Sequence, residues 1–147
     1  MLRLLVLNGP NLNLLGTRQP EVYGSTTLAE VEAMCKALEG ELDAEITCAQ
    51  SNHEGVLIDH IHAAKGTIDG IVLNAGAYTH TSLALMDAIA SVELPVVELH
   101  VSNIHAREEF RHKTYIGRVA LGQICGFGPA GYPLALRALA QHLRSKQ

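Results

Sequence analysis

The amino-acid sequence predicts an α/β protein of three layers, in which helices cover both faces of a five-stranded parallel sheet. Short apolar runs that end in turn residues alternate along the chain with stretches whose apolar residues recur at helical spacing. Strands that alternate with helices imply right-handed crossovers, which make the strands parallel. The chain has 147 residues, of which 48% are hydrophobic. We therefore expect one domain, residues 1–147, with a sizeable core.

Each element has its own local signal. The run at residues 2–7 is almost continuously apolar and ends at a Gly-Pro pair, which is typical of a strand buried on both faces. Thr27 and Glu30 form a capping box that begins a helix, and we expect that helix to end near Gly40. The further predicted strands are residues 44–49, 69–74, 95–100 and 120–125, and the further predicted helices are residues 54–64, 82–92, 107–111 and 132–143.

Composition and charge exclude several classes of partner. The net charge is −4, which leaves no basic surface for nucleic acid, and the absence of tryptophan removes a stacking platform for single strands. We expect neither a targeting segment nor a membrane partner, because no apolar run approaches the ~18 residues that a span requires.

Cys35, Cys48 and Cys125 are odd in number and widely spaced. They predict buried, reduced thiols in a cytoplasmic protein, with a catalytic cysteine as the alternative.

Polar residues follow three of the predicted strands at the point where each strand ends. They occupy residues 8–11, 74–81 and 100–105. In doubly wound sheets, ligands bind outside the carboxyl ends of the strands, where the strand order reverses. The sequence therefore predicts that these three segments converge on one crevice.

One predicted strand carries a carboxylate and an imidazole on the same face. Glu98 and His100 are two residues apart, which is the period of a strand. A carboxylate beside an imidazole favours the protonated ring and fixes its orientation, which suits a general acid. A purely structural histidine is the alternative.

Three further residues suggest an anionic ligand, one through its backbone amide and two through their side chains. The backbone amides at Ser82 and its neighbours could hold an anion at the start of a helix, although Ser82 also fits a simple helix cap. Arg107 and Arg111 are one helical turn apart near the predicted crevice. Ordinary solvated charges are the alternative for these arginines.

Arg18 and Tyr23 lie on one loop between Gly16 and Gly24. A phenol ionises near ~10, so its use as a base near neutral pH requires about 4 kcal/mol of differential stabilisation. A nearby arginine in a closed site could supply much of this stabilisation. The alternative is that Tyr23 packs beneath a surface loop while Arg18 is solvated.

The cofactor motifs in the chain do not fit their usual context. Residues 126–131 match G-x-G-x-x-G, but only sixteen residues follow Gly131, too few for the second strand and the ribose-binding acid. We interpret this motif as a tight turn. His60 and His62 cannot chelate a metal from one helix face, and neither a Walker A motif nor His-Glu-x-x-His occurs. We expect no cofactor and no metal.

Five motifs in order resemble those of the type II 3-dehydroquinate dehydratases. They occupy residues 8–16, 22–24, 50–55, 74–82 and 98–111. The resemblance runs from Leu5 to about Leu143. It implies a flavodoxin-like topology and a homododecamer of four trimers without metal or cofactor. It also implies the anti dehydration of a small-molecule substrate, 3-dehydroquinate, to 3-dehydroshikimate through an enolate.

The resemblance also implies roles for individual residues. Tyr23 would be the base, with its pKa lowered by Arg18, and Asn11 would stabilise the enolate through an ordered water. His100 would protonate the departing hydroxyl while Glu98 orients it. The substrate would be held by Asn74, Val101 and Ser102 at its carboxylate, by His80 and Arg111 at its ring hydroxyls, by Arg107 on the lid side, and by Asp87 of a neighbouring subunit.

The role of Asp87 depends on the face of its helix. It would point away from its own crevice if Leu83, Met86 and Ala90 face the core.

Two departures from the family pattern, Val56 and Met86, concern subunit contacts. The role of the reaction, biosynthetic or catabolic, stays open.

Two other classes of protein share the predicted architecture. A flavin-binding electron carrier would need a first loop rich in serine and threonine, which the segment after the first strand lacks. A non-enzymatic scaffold would have no reason to gather tyrosine, arginine, histidine and glutamate after its strands.

Overall fold

The sheet has five parallel strands in the order β2-β1-β3-β4-β5. The computed structural model describes residues 1–17 and 19–147, and it describes the backbone alone for residues 22 and 23. The strands are β1 (Leu2–Asn8), β2 (Ala44–Gln50), β3 (Gly70–Asn74), β4 (Val96–His100) and β5 (Gly122–Cys125). This order is the flavodoxin-like order, so the predicted doubly wound, three-layered fold is confirmed.

Helices cover both faces of the sheet. They are α1 (Pro20–Tyr23), α2 (Leu28–Lys36), α3 (Glu39–Leu42), α4 (Glu54–Ala64), α5 (Leu83–Val92) and α6 (Gly131–Ser145). One apolar core lies between the sheet and α2 and α6, and a second lies between the sheet and α4 and α5. The predicted capping box is present, since the side chains of Thr27 and Glu30 each accept from the other's backbone amide.

The strand register brings the polar ends of the strands together. Asn8 pairs with Gln50 on one side and with Asn74 on the other, and His100 pairs with Cys125. The strand order reverses at β1, which lies between β2 and β3. The carboxyl ends of β1, β3 and β4 therefore form the edge where a ligand of this fold class binds.

Two predicted helices differ from the structure. The helix that begins at Leu28 ends at Lys36 rather than near Gly40. The chain then turns toward the sheet in α3, where the Glu39 carboxylate accepts a hydrogen bond of 2.8 Å from the Ile46 amide of β2. The predicted helix at residues 107–111 is wrong. Two short 3-10 turns, Ile104–Ala106 and Glu109–Arg111, stand there instead, and Arg107 between them is extended because its carbonyl accepts from the His112 ring.

The face of α5 also differs from the expectation. Leu83 is 54% exposed and Ala90 is exposed, whereas the residues that pack into the core are Leu85, Ala88, Ile89 and Val92. Both sets have helical spacing, so the sequence pattern alone did not distinguish them. The Ser82 hydroxyl accepts from the Leu85 amide and fixes where the helix begins.

The fifth strand and the cysteines are less buried than predicted. β5 begins at Gly122 because the Ala120 amide still donates to Ile116 in the preceding turn, and the strand lies at the open edge of the sheet. Cys35 is buried, but Cys48 and Cys125 are half-buried, and all three thiols are free. Within the described part of the chain, no helix is long and apolar enough to cross a membrane.

Candidate active site

A cleft of about 200 Å³ opens at the carboxyl ends of β1, β3 and β4. The predicted site residues that line it are Asn11, Asn74, His80, His100, Val101, Ser102, Arg107 and Arg111. Glu98 is completely buried beneath it. Asp87 is exposed on α5, and the described lining contains no residue of that helix. Arg18 and the side chain of Tyr23 lie outside the described residues.

Gly9 brings the first two walls of the cleft together. Its amide donates to the Asn74 carbonyl over 2.7 Å, so the segment after β1 lies directly against the segment after β3. A Cβ atom at this position would lie 2.6 Å from the Ala75 carbonyl oxygen. A side chain there would push the two walls apart, so we interpret Gly9 as a requirement of the cleft geometry.

His100 lies at the base of the cleft and is held from below by Glu98. The Nε2 atom of His100 lies 2.5 Å from the Oε2 atom of Glu98. His100 is 5% exposed and Glu98 is fully buried, so water does not compete for this contact. Because the carboxylate accepts at Nε2, the other ring nitrogen, Nδ1, is the one left for a reactant in the cleft.

Glu98 stays ionised despite its burial. Burial disfavours the charged carboxylate, but hydrogen bonds from His100, Thr79 and Gln123 outweigh that effect and lower the pKa of Glu98 below its usual range. The Thr79 hydroxyl donates to Oε2 over 2.6 Å, and the Gln123 amide donates to Oε1 over 2.9 Å. The site therefore places a negative charge directly against the His100 ring.

His80 forms the wall beside His100. Its Nδ1 atom lies 2.8 Å from the Lys113 carbonyl oxygen. A carbonyl only accepts, so Nδ1 carries the proton and Nε2 is the acceptor nitrogen of the neutral ring. The two rings stack with centroids 6.3 Å apart. Burial lowers the pKa of His80, and the positive fields of His100 and Arg111 lower it further. His80 is therefore suited to accept a hydrogen bond from a hydroxyl.

Asn11 lies at the rim, on a loop that β2 supports. Its backbone is left-handed, with φ of 70°, and its amide donates to the Asn52 side chain over 3.0 Å. Gln50 donates both to that same Asn52 oxygen and to the Gly9 carbonyl, each over 3.1 Å. In the sequence analysis, the motif at residues 50–55 contributed to the family resemblance, but none of its residues was assigned a role. The structure shows that it supports the loop that carries Asn11.

A buried chain of hydrogen bonds lies beneath Asn74. The Asn74 side chain donates to the Tyr132 hydroxyl over 3.0 Å, and that hydroxyl donates to the Asn8 side chain over 2.5 Å. Asn8 and Tyr132 are completely buried, and burial raises the pKa of Tyr132 above its usual value. Sequence reasoning missed Tyr132 because it lies on α6, far from Asn8 and Asn74 in the sequence, and only the fold brings its hydroxyl to them.

The Ser82 amide is not available to hold an anion, whereas the predicted helix cap at Ser82 is present. That amide donates to the Tyr78 carbonyl over 2.9 Å, so it is already used inside the turn, and Ser82 acts as a helix cap. The positive charge of the cleft comes from Arg107 and Arg111. Arg107 contacts the Ser102 hydroxyl at 3.4 Å, and Arg111 pairs with Glu108 over 2.6 Å. Both arginines line the cleft and favour an anionic ligand.

Within residues 1–17 and 19–147, no group of histidine, cysteine, aspartate and glutamate side chains has the arrangement of a metal site. What the described cleft contains is a buried carboxylate and imidazole pair, a neutral histidine and two arginines. This arrangement can bind a small anion, donate a proton and accept hydrogen bonds from hydroxyl groups.

The fold and the site together define an α/β enzyme that performs acid–base chemistry on a small anion. The chain belongs to the class II dehydroquinase family, because the profile described as "Dehydroquinase class II" matches residues 2–140. It is 69% identical to a 3-dehydroquinate dehydratase of Ruegeria pomeroyi over 97% of this chain and 96% of that protein. It is 63% identical to a 3-dehydroquinate dehydratase of Dinoroseobacter shibae over 97% of this chain and 95% of that protein.

Solved structures agree with this assignment. The crystal structure of the type II dehydroquinase from Butyrivibrio crossotus superimposes with a TM-score of 0.91 and 45% identity, and it covers 94% of this chain and 97% of the other. The agreement therefore extends over nearly the whole fold.

Proposed function

We propose that this chain catalyses the dehydration of 3-dehydroquinate to 3-dehydroshikimate as a step of the shikimate pathway. The observation that carries the proposal is the buried Glu98 and His100 pair at the base of a cleft lined by arginines. Elimination of water beside a ketone needs a base for the α proton, stabilisation of the enolate and an acid for the departing hydroxyl. The described site contains a buried imidazole that can donate a proton, and the family relationship supplies the reaction.

His100 is proposed as the acid. In the first step a base removes the proton beside the ketone, which leaves an enolate. In the second step the enolate expels the β hydroxyl while His100 transfers its proton to that hydroxyl, so that water leaves. Glu98 stabilises the positive ring before the transfer and holds it toward the cleft.

Tyr23 is proposed as the base, with Arg18 lowering its pKa. The backbone of α1, which ends at Tyr23, follows shortly after Leu12, Leu14 and Leu15, which line the cleft. Asn11 lies on the same side and is proposed to stabilise the enolate through an ordered water. Because the family resemblance implies an anti elimination, we propose that this base and His100 act on opposite faces of the ring.

The other lining residues are proposed to hold the substrate. Asn74, Val101 and Ser102 would bind its carboxylate, partly through backbone amides. The neutral His80 and Arg111 would bind the ring hydroxyls, and Arg107 would complete the site from the lid side. These roles match the donors and acceptors of the described cleft.

The oligomer is also a proposal. We expect one domain over residues 1–147 and an assembly of twelve chains as four trimers, in which Asp87 enters the site of a neighbour. Exposed apolar side chains, Phe110 at 70% and Phe127 at 65%, support association between chains. The three free thiols support a cytoplasmic location. Native mass spectrometry measures the number of chains directly.

Ultraviolet absorbance tests the proposed reaction, because the new double bond conjugates with the ketone. Purified protein mixed with 3-dehydroquinate should produce that absorbance without added metal or cofactor. His100→Asn should lose the activity, and the exposed His62→Asn on α4 should retain it as the matched control. No absorbance change with the wild-type chain would refute the proposed function.

A further inference from the structure

The two oxygens of the Glu98 carboxylate accept hydrogen bonds from two different groups of residues. Oε2 accepts from His100 over 2.5 Å and from the Thr79 hydroxyl over 2.6 Å. Oε1 accepts from the Gln123 side chain over 2.9 Å and from the Thr114 hydroxyl over 3.3 Å. The contacts at Oε1 fix the rotation of the carboxylate, which in turn fixes where Oε2 meets the imidazole.

The contacts at Oε1 come from the open edge of the sheet. Gln123 lies on β5, the last strand in the sheet order, and its side chain reaches inward to Glu98 although the residue is exposed overall. Thr114 accepts from the Gly117 amide over 3.1 Å and from Gln123 over 3.4 Å. These two donors occupy the acceptor side of the Thr114 oxygen, so its own proton is directed toward Glu98.

We infer that Gln123 is a positioning residue for the acid of the reaction. Gln123 is not part of the described cleft lining, and it acts by holding Glu98 in the orientation that holds His100. Thr114 supports the same oxygen from the segment before β5. The inference rests on the proposed function, because it assigns Gln123 a part in delivering the proton of that reaction.

Because few charged groups of the described chain surround Glu98, the loss of a single hydrogen bond to its carboxylate should measurably change its pKa. The titratable groups that act on it are His100 on its own strand, His80 on the wall beside His100 and the Cys125 thiol of β5. Burial raises the pKa of Cys125 to about 11, so this thiol stays neutral through the working range. Hydrogen bonds from His100, from Thr79 and, with a smaller effect, from Gln123 together hold the pKa of Glu98 below its usual range despite its burial.

Three variants separate this role from packing. Gln123→Met keeps the length of the side chain without a donor, Gln123→Glu keeps its shape but presents an acceptor to Glu98, and Gln141→Met is the exposed control on α6. For Gln123→Met we expect kcat to fall about tenfold with KM unchanged, as for one lost hydrogen bond to a charged group. The acidic limb of the kcat profile should move to higher pH, because Glu98 then protonates more readily. Gln123→Glu should lower kcat further than Gln123→Met does. Gln141→Met should have the kcat and the pH profile of the wild type.

Carbon NMR of the Glu98 carboxyl in the protein without substrate gives a readout that needs no turnover. Its titration should move to higher pH in Gln123→Met and stay in place in Gln141→Met. An unchanged titration and pH profile in Gln123→Met, or a Gln123→Glu variant as active as the wild type, would overturn the inference. A wild-type chain that fails to dehydrate 3-dehydroquinate would overturn the proposed function alone, since the NMR titration tests Gln123 independently.

Discussion

Glu98 and His100 lie two residues apart on β4, and one hydrogen bond of 2.5 Å joins Oε2 of the carboxylate to Nε2 of the ring. The carboxylate is sealed from solvent, while the imidazole lines the cleft. The strand period places both side chains on one face of the sheet. Replacement of Glu98 therefore changes the proton donor without touching the surface that a substrate meets.

Glu98→Gln should lower kcat by about 10²-fold, within the usual range for a disrupted acid–base group, and leave KM nearly unchanged. The neutral amide no longer stabilises a positive His100 ring, and Glu98 itself is not part of the described cleft lining. Steady-state kinetics measure both constants, with the exposed Glu93→Gln as the matched control. A large rise in KM at normal kcat would instead assign Glu98 to substrate binding.

The stability of the fold should depend on Glu98 at low pH. Burial alone would raise the pKa of this carboxyl, but hydrogen bonds from His100, Thr79 and Gln123 bring it below the ordinary value. Its contribution to stability is therefore complete above the pKa of the unfolded chain, about 4.3, and is lost as the pH falls through the lower folded-state pKa.

Urea unfolding at a series of pH values measures this contribution. Below about pH 4.3, the free energy of unfolding should fall more steeply with acidification in the wild type than in Glu98→Gln, which has no proton to bind there. Parallel curves for the two proteins would show that Glu98 is not held in its charged form.

Much of the fold and the outline of the site could be predicted from the sequence, because strand period, capping boxes and turn residues are local signals. They located the carboxyl ends of β1, β3 and β4, and they paired Glu98 with His100. The supporting residues could not be found in this way. Thr79 and Gln123 are 19 and 25 residues from Glu98, and Tyr132 is 58 residues from Asn74. Only tertiary packing brings such distant side chains together.

Two errors at the site have the same physical origin. The sequence pattern did not show a hydrogen-bond acceptor for the Ser82 amide. In the structure the preceding turn folds so that this amide donates to the Tyr78 carbonyl. The face of α5 was assigned from spacing alone, and packing against α4 and the sheet selected the other set of apolar residues. In both cases, tertiary contacts decided between arrangements that the local pattern allowed equally.

Tyr23→Phe should reduce turnover by at least ~10²-fold while substrate binding survives, because only the oxygen that removes the proton is lost. Calorimetry with 3-dehydroquinate measures the binding, and the ultraviolet assay measures the turnover. Tyr115→Phe is the control, since Tyr115 does not contribute to the described lining of the cleft. More than a tenth of wild-type turnover in Tyr23→Phe would contradict its assignment as the base.

Asp87 should act in a neighbouring subunit. It is exposed on α5, away from the cleft of its own chain, and a closed ring of three chains would let each lend this carboxylate to the next. Mixed and reassembled Asp87→Ala and Tyr23→Phe chains should recover activity, because some interfaces then contain both intact residues.

Mixtures of His100→Asn and Tyr23→Phe chains are the control for this complementation. Both residues belong to the site of one chain, so these hybrids should stay inactive. Native mass spectrometry confirms that hybrids have formed. Equal inactivity of both kinds of confirmed hybrid would show that Asp87 does not act between subunits.

The fate of the proton beside the ketone tests the central claim most directly. We propose that a base and His100 act on opposite faces of the substrate ring, so the proton that leaves is the one anti to the departing hydroxyl. With 3-dehydroquinate that carries deuterium at that position, mass spectrometry should find a dehydrated product without deuterium, formed more slowly than from unlabelled substrate. A dehydrated product that retains the deuterium would contradict the account.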